Sequence, residues 1–249
     1  MRTAQSQFGP VASAYLTSGV HSNEASLRRL VEVAKPSGGL VLDVGTGAGH
    51  AAFTFARHVD RVVASDITPS MLEIVEAEAA ARSLGNVAPC YADAENLPFG
   101  TGSFDGLVCR LAAHHFENPA RFVAEARRVV RRGGWLLVVD NVGIEDPAAD
   151  DELDRIERLR DPSHVRNWTE TQWRGWLVES GFELATIDRL PKPINAVDWL
   201  ERMRAGAAAQ ADVLRTITGS EGWLRDYLRP HGEGAHLTFH LHEFLVLAR

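Results

Sequence analysis

Cysteine is scarce in this chain: of its 249 residues only Cys90 and Cys109 are cysteines. Both lie inside apolar, strand-like runs, so a disulfide framework and a cysteine zinc site are excluded and both read as buried thiols. Long hydrophobic runs are missing too. Met1 to Gln7 has no apolar core of the kind a signal peptide needs, and no later run approaches the ~18 residues that span a bilayer. The expectation is a cytoplasmic protein with no membrane partner. An excess of basic charge is also lacking: 26 Lys and Arg stand against 33 Asp and Glu, a net charge of -7, which supplies no footprint for nucleic acid. There is no internal repeat, and the length suits one α/β unit.

What is present is glycine in one telling place. Leu40-Val41-Leu42-Asp43-Val44-Gly45-Thr46-Gly47-Ala48-Gly49 is an apolar strand that delivers an acid into a turn of alternating glycines. Glycines 45, 47 and 49 permit positive φ and let a ligand lie against bare peptide. The dinucleotide fingerprint runs G-x-G-x-x-G and aims helix amides at a pyrophosphate. Here the spacing is G-x-G-x-G, and Asp43 would repel a phosphate and welcome a cation. Two more apolar strands end in acids. Asp66 follows Val62 to Ser65 at a distance from Gly49 suited to holding ribose hydroxyls, and Asp93 follows Ala88 to Ala92, where it can take the exocyclic amine of an adenine. Open parallel sheets bind ligands at strand carboxyl ends, so three such acids in succession imply a cationic nucleoside.

Strands are expected near 40–44, 61–66, 87–91, 106–110 and 135–140, alternating with helices over 69–83, with Ser70 as cap, and 120–131, stopped at Gly133-Gly134. An amphipathic helix precedes them from Ser22 to Ala34. An acidic connector, Glu145 to Asp154, opens a helix to Arg160; Trp173 to Ser180 makes another, closed by Gly181; 183–190 and 237–247 read as closing strands. This alternation is that of a doubly wound α/β sheet with helices on both faces.

The same segments carry a resemblance. V-L-D-V-G-T-G-A-G at 41–49, S-D-I-T-P-S-M-L at 65–72, D-A-E-N-L-P-F at 93–99, S-F-D-G-L-V-C-R at 103–110, H-H-F-E-N-P at 114–119 and R-V-V-R-R-G-G at 128–134 stand in family order. In these the chain resembles the class I S-adenosylmethionine-dependent methyltransferases, nearest the type 11 small-molecule branch with the ubiquinone/menaquinone-biosynthesis enzymes. The match covers about residues 40–140; after Glu145 such families diverge by substrate. The resemblance implies a seven-stranded Rossmann-like sheet, mostly parallel, with an antiparallel last strand preceded by a helical insertion. It implies S-adenosyl-L-methionine as cofactor, S-adenosyl-L-homocysteine as product and a small-molecule acceptor as partner. Cofactor contacts would come from Asp43, Gly45, Thr46, Gly47, Gly49, Asp66, Ile67, Met71, Asp93, Ala94, Glu95 and Arg110. Tyr15 joins them, because a segment like Phe8 to Tyr15 folds over the cofactor mouth in related enzymes, with His21 a further candidate there. One domain is expected: an N-terminal helical cap over 1–36, a cofactor half over 37–145 and a substrate-side half over 146–249.

S-adenosylmethionine carries an activated methyl, so the protein's main task is to align a nucleophile in line with the S–CH3 bond and exclude water. A hydroxyl, phenol or acidic carbon needs a base of near-neutral pKa; a thiolate or free amine does not, so O-, N-, C- and S-methylation all stay open. His114 and His115 follow strand four at the ligand end. The resemblance favours His115, just before Phe116, as the base, and the alternative is that both cap the next helix. A family member that uses the cofactor as a fixed cation, without methyl transfer, would keep every one of these motifs. A nicotinamide-dependent oxidoreductase is disfavoured by the glycine spacing. Nucleic-acid methylation is disfavoured because Arg110-Leu111-Ala112-Ala113 stands where Asn-Pro-Pro-Tyr would.

Other residues divide between structure and function. Asp105 starts strand four at the far end and reads as a turn carboxylate. Asp140-Asn141 ends strand five on the ligand side and is a candidate pocket wall. His236, His240 and His242 share a strand face by alternation, but no carboxylate or cysteine completes a ligand set, so no metal is expected. Trp168, Trp173, Trp176, Trp199 and Trp223 are either core or an aromatic acceptor pocket. The stretch from Pro191 to Gly234 exceeds what a hairpin needs and is a lid, a homodimer contact or a helical ornament on the sheet edge.

Overall fold

The computed structural model describes residues 23–203 and 205–249; Phe8, Tyr15 and His21, expected near the cofactor mouth, lie outside the described residues. Seven strands form one sheet: β1 Leu40–Val44, β2 Arg61–Asp66, β3 Val87–Tyr91, β4 Phe104–Arg110, β5 Val130–Asn141, β6 Leu184–Asn195 and β7 Thr238–Ala248, in the order β3-β2-β1-β4-β5-β7-β6. The pairs among β1 to β5 are parallel, and β7 enters antiparallel between β5 and β6. β1 and β4 are buried along nearly their whole length because both their faces are covered, as in any parallel sheet between helices. Leu42, Leu107, Val138 and Val246 face one core with the helices α4 (Pro119–Val129) and α6 (Glu170–Glu179). Val41, Val62, Val108 and Leu247 face the other, against α1 (Glu24–Ala34), α2 (His50–Phe55) and α3 (Pro69–Ala81). Strand order reverses between β1 and β4, and ligands bind open α/β sheets at the carboxyl side of that switch.

A third core lies beyond the sheet edge. α5 (Pro147–Arg160), α7 (Ala196–Arg202), α8 (Ala207–Thr218) and α9 (Gly222–Leu228) enclose Leu153, Ile156, Trp199, Ile217 and Phe239. The long stretch after β6 therefore divides: α8 packs on α5 as an ornament would, while α7 carries Trp199 and Arg202 to the wall of the cleft. Among the described residues no helix is long and apolar enough to cross a membrane.

Several expected boundaries move. The helix before strand five ends at Val129, and Gly133-Gly134 lie inside β5 rather than stopping a helix. A Cβ on Gly134 would sit 2.6 Å from the Asp105 carbonyl, so the glycine serves the close approach of β4 to β5. α3 is capped by Thr68 with Pro69 in its first turn, because a proline has no amide to orphan there; Ser70 Oγ has no hydrogen-bond partner among the described residues. β6 continues to Asn195, since β7 pairs with it along its whole length. Cys109 is buried, but Cys90 is only half-buried, because β3 is an edge strand. Trp173 is core, in edge-on contact with Trp176, Trp223 is exposed, and Trp199 alone of the five tryptophans lines the cleft. His240 and His242 lie on β7, whereas His236 belongs to the turn before it.

Candidate active site

The carboxyl ends of β1 to β4 open into a cleft of about 450 Å3, within the ~300–1,000 Å3 of small-molecule sites. Gly45, Thr46 and Gly47 form one wall. Gly47 has φ 53°, and a Cβ there would meet nothing within 4 Å, so its bare peptide faces open space in the cleft. Gly49, expected among the cofactor contacts, stands back from the cleft. It caps α2 at φ 87°, and a Cβ would lie 2.5 Å from the Phe53 ring; its purpose is packing.

Asp43 lies buried behind this turn, its Oδ2 accepting from Thr46 Oγ1 at 2.6 Å. Burial raises its carboxyl to about 7, and the Thr46 hydrogen bond offsets this only in part. Asp66 Oδ2 accepts from the Gly47 amide at 2.9 Å and Oδ1 from the Thr68 amide at 2.8 Å, so the β2 acid laces the glycine turn to the loop that brings Ile67 and Met71 into the cleft. Burial raises this carboxyl as well. Asp93, Ala94 and Glu95 line the third side; Asp93 Oδ1 accepts from the Glu95 amide, and Glu95 Oε1 from the Asn118 amide at the cap of α4. Arg110, at the end of β4, lines the cleft and donates to Ser26 Oγ at 3.2 Å. Asp105 sits at the opposite sheet end, accepting from the Leu40 amide and Arg131 Nε, as a turn carboxylate should.

The two histidines occupy different environments. His114 Nδ1 donates to Asp140 Oδ1 at 2.6 Å, and the His114 amide donates to Asp140 Oδ2 at 3.0 Å. Burial disfavours the charged form of His114, but Asp140 outweighs it and the ring's pKa is raised. Burial likewise opposes the charge on Asp140, yet His114 holds that carboxyl below its ordinary value. His115 Nδ1 instead donates to the Ser163 carbonyl at 3.1 Å, and burial together with the adjacent His114 pushes its pKa well down. Asp140 thus supports the wall from behind, while Asn141 lines it.

Arg160, Asp161, Ser163, Lys192 and Arg202, not singled out from the sequence, complete the far end together with Trp199, one of the candidate pocket tryptophans. Asp150, Asp154 and Glu157, buried behind them, share one side of α5 and its end with Asp161. They meet Arg166, His164 and Arg160. A spacing of four, three and four residues marks one helix face and was the available signal.

A methyltransferase-domain family model, type 11, matches residues 42–138. The uncharacterised methyltransferase YcgJ of Bacillus subtilis is 34% identical over 186 residues, covering 75% of this chain and 74% of that protein. A candidate methyltransferase from Bacillus halodurans superposes with a TM-score of 0.86 at 35% identity, over 90% of this chain and 98% of the other. Nocamycin O-methyltransferase of Saccharothrix syringae is 34% identical over 131 residues, 51% of this chain and 47% of the relative. The chain belongs to the S-adenosylmethionine-dependent methyltransferase family, and its cofactor is S-adenosyl-L-methionine. The donor set fits that molecule: buried carboxylates suit an ammonium and ribose hydroxyls, and Gly47 leaves room for an extended chain against its peptide.

Proposed function

We propose that the protein transfers the cofactor's methyl group in line to a small-molecule hydroxyl, phenol or acidic carbon, with His114 as the base. The observation that carries this is the Asp140–His114 pair at 2.6 Å in the cleft wall. A carboxylate on Nδ1 fixes ring and tautomer and leaves the neutral ring's lone pair on Nε2, the arrangement of an oriented base. His115, with its basicity lowered and its Nδ1 on Ser163, orients the loop instead. The cofactor, when bound, supplies a methyl already activated on a sulfonium. Asp43 would hold its ammonium, Asp66 its ribose and Asp93 its adenine amine, while Ile67 and Met71 close the purine side. The nocamycin enzyme's name supports a small-molecule acceptor.

Asp140→Asn tests the base. The base works only when neutral, so the acid limb of turnover lies above the ordinary histidine value of ~6.5. Removing the carboxylate charge moves that limb to lower pH and reduces plateau turnover by roughly tenfold or more. S-adenosylhomocysteine formation, followed by mass spectrometry across pH with an acceptor the wild type accepts, reads both. An unmoved limb would show that Asp140 does not tune the base.

Asp43 gives a second expectation. With its carboxyl near 7, it is partly protonated in the free protein at neutral pH. An ammonium beside it favours the ionised form, so ligand binding releases a proton below pH ~7 and affinity rises with pH through that value. The same raised pKa means the folded chain holds a proton that the unfolded chain has lost, so this group's contribution to stability falls as pH rises from about 4 towards 7. Calorimetry of S-adenosylhomocysteine binding at pH 6.5 in two buffers of different ionisation enthalpy measures the released proton; none would remove Asp43 from the ammonium site.

A further inference from the structure

At the end of the cleft away from the glycine turn, the wall carries three cationic side chains: Arg160 at the end of α5, Lys192 on β6 and Arg202 at the end of α7. Two of them have their counter-charges behind the wall. Arg160 Nη1 donates to Glu157 Oε2 at 2.9 Å, and Lys192 Nζ lies 3.2 Å from Glu243 Oε1, while neither glutamate lines the cleft. The guanidinium of Arg160 is held further by the Trp199 ring, 4.5 Å from its centroid, and by the Trp199 carbonyl. One acid, Asp161, shares this end of the wall, and its Oδ1 is taken up by the amide and hydroxyl of Ser163 at 2.9 and 2.6 Å. Cations fixed from behind and turned to a cavity are prepared for an anion, because their orientation costs nothing further when it arrives. Between them, Trp199, Ile194 and Leu241 supply apolar wall.

We infer that the methyl acceptor is an amphiphilic anion: a carboxylate or phosphate seated against Arg160, Lys192 and Arg202, with an apolar body along Trp199, Ile194 and Leu241. This rests on the methyl-transfer reading and names the substrate class of the same site. The carboxylate and phosphate share the chemistry that a guanidinium fork recognises. The anchor lies at the opposite end from the acids assigned to the cofactor's cationic end, so the two charges of acceptor and cofactor are sorted by position.

Isothermal calorimetry on protein saturated with S-adenosylhomocysteine tests this with octanoate, octyl phosphate, 1-octanol and octylammonium. One or both anions should bind at least tenfold more tightly than octanol, octylammonium should bind no better than octanol, and the preferred anion identifies the group. Arg160→Gln should erase about tenfold of the preference. Because it leaves Glu157 buried beside a neutral partner, Arg202→Gln is the companion variant, half-buried at a helix end, and should lose preference in the same direction. Equal binding of octanol and both anions by the wild type, or a preference unchanged in both variants, overturns the anion site. The readout is binding, not turnover. A protein that prefers the anions but forms no S-adenosylhomocysteine with any acceptor therefore overturns methyl transfer alone.

Discussion

His114→Ala lowers turnover by about 10²- to 10⁴-fold and leaves the affinity for S-adenosylhomocysteine nearly unchanged, the range set by losing a positioned base. The backbone at this position is held independently of the ring. Its amide donates to Asp140, and its carbonyl accepts from the amides of Val165 at 2.9 Å and Arg166 at 3.2 Å. Truncation therefore removes the imidazole without releasing the loop. His115→Ala, which loses its contacts to Ser163, should cost less than about tenfold. Single-turnover kinetics with an acceptor that the wild type methylates, alongside calorimetry, separates the two. A large loss in His115→Ala with normal turnover in His114→Ala would exchange their roles.

Gly47→Val abolishes measurable cofactor binding, while Gly49→Val unfolds the protein first. Both positions have positive φ, which costs any L side chain and a β-branched one most. What differs is the space beyond the backbone. At Gly47 nothing lies within 4 Å of a Cβ, so valine enters only the volume that the ligand's extended chain would fill; at Gly49 the Phe53 ring is 2.5 Å away. A thermal melt and a titration with S-adenosylhomocysteine on each variant distinguish the losses. Binding within a few-fold of wild type by folded Gly47→Val would move the ligand off this turn.

The cofactor side was legible because local chemistry and global position coincide there. Apolar runs such as Val41 to Val44 can only be strands buried on both faces, and an acid at the end of each falls at the sheet's carboxyl edge by construction. The far end was not legible, for three physical reasons. Acids at 150, 154 and 157 look like a solvated helix face until Arg166, His164 and Arg160, supplied by the end of the helix and the loop after it, pair with them. The choice between adjacent histidines in a 3-10 turn depends on Asp140, 26 residues away, which no local pattern connects to either ring. Lys192 and Trp199 reach the cleft only because β6 runs to Asn195 beside β7, a register that becomes visible only in the paired sheet.

The insertion of β7 between β5 and β6 has a consequence for how the chain is made. Leu136 to Asn141 wait for Glu243 to Ala248, about a hundred residues later, before that side of β5 is paired. At ribosomal rates of ~5–20 residues per second, the glycine turn and the three strand-end acids exist for roughly five to twenty seconds beside an unsealed edge. That edge carries Leu137 and the β-branched Val138 and Val139, an apolar template that invites pairing with other chains. The segment most recognisable as a nucleoside-binding module is therefore the one least able to persist alone. Expressed as a fragment ending near residue 145, it should aggregate despite containing every motif that identifies it.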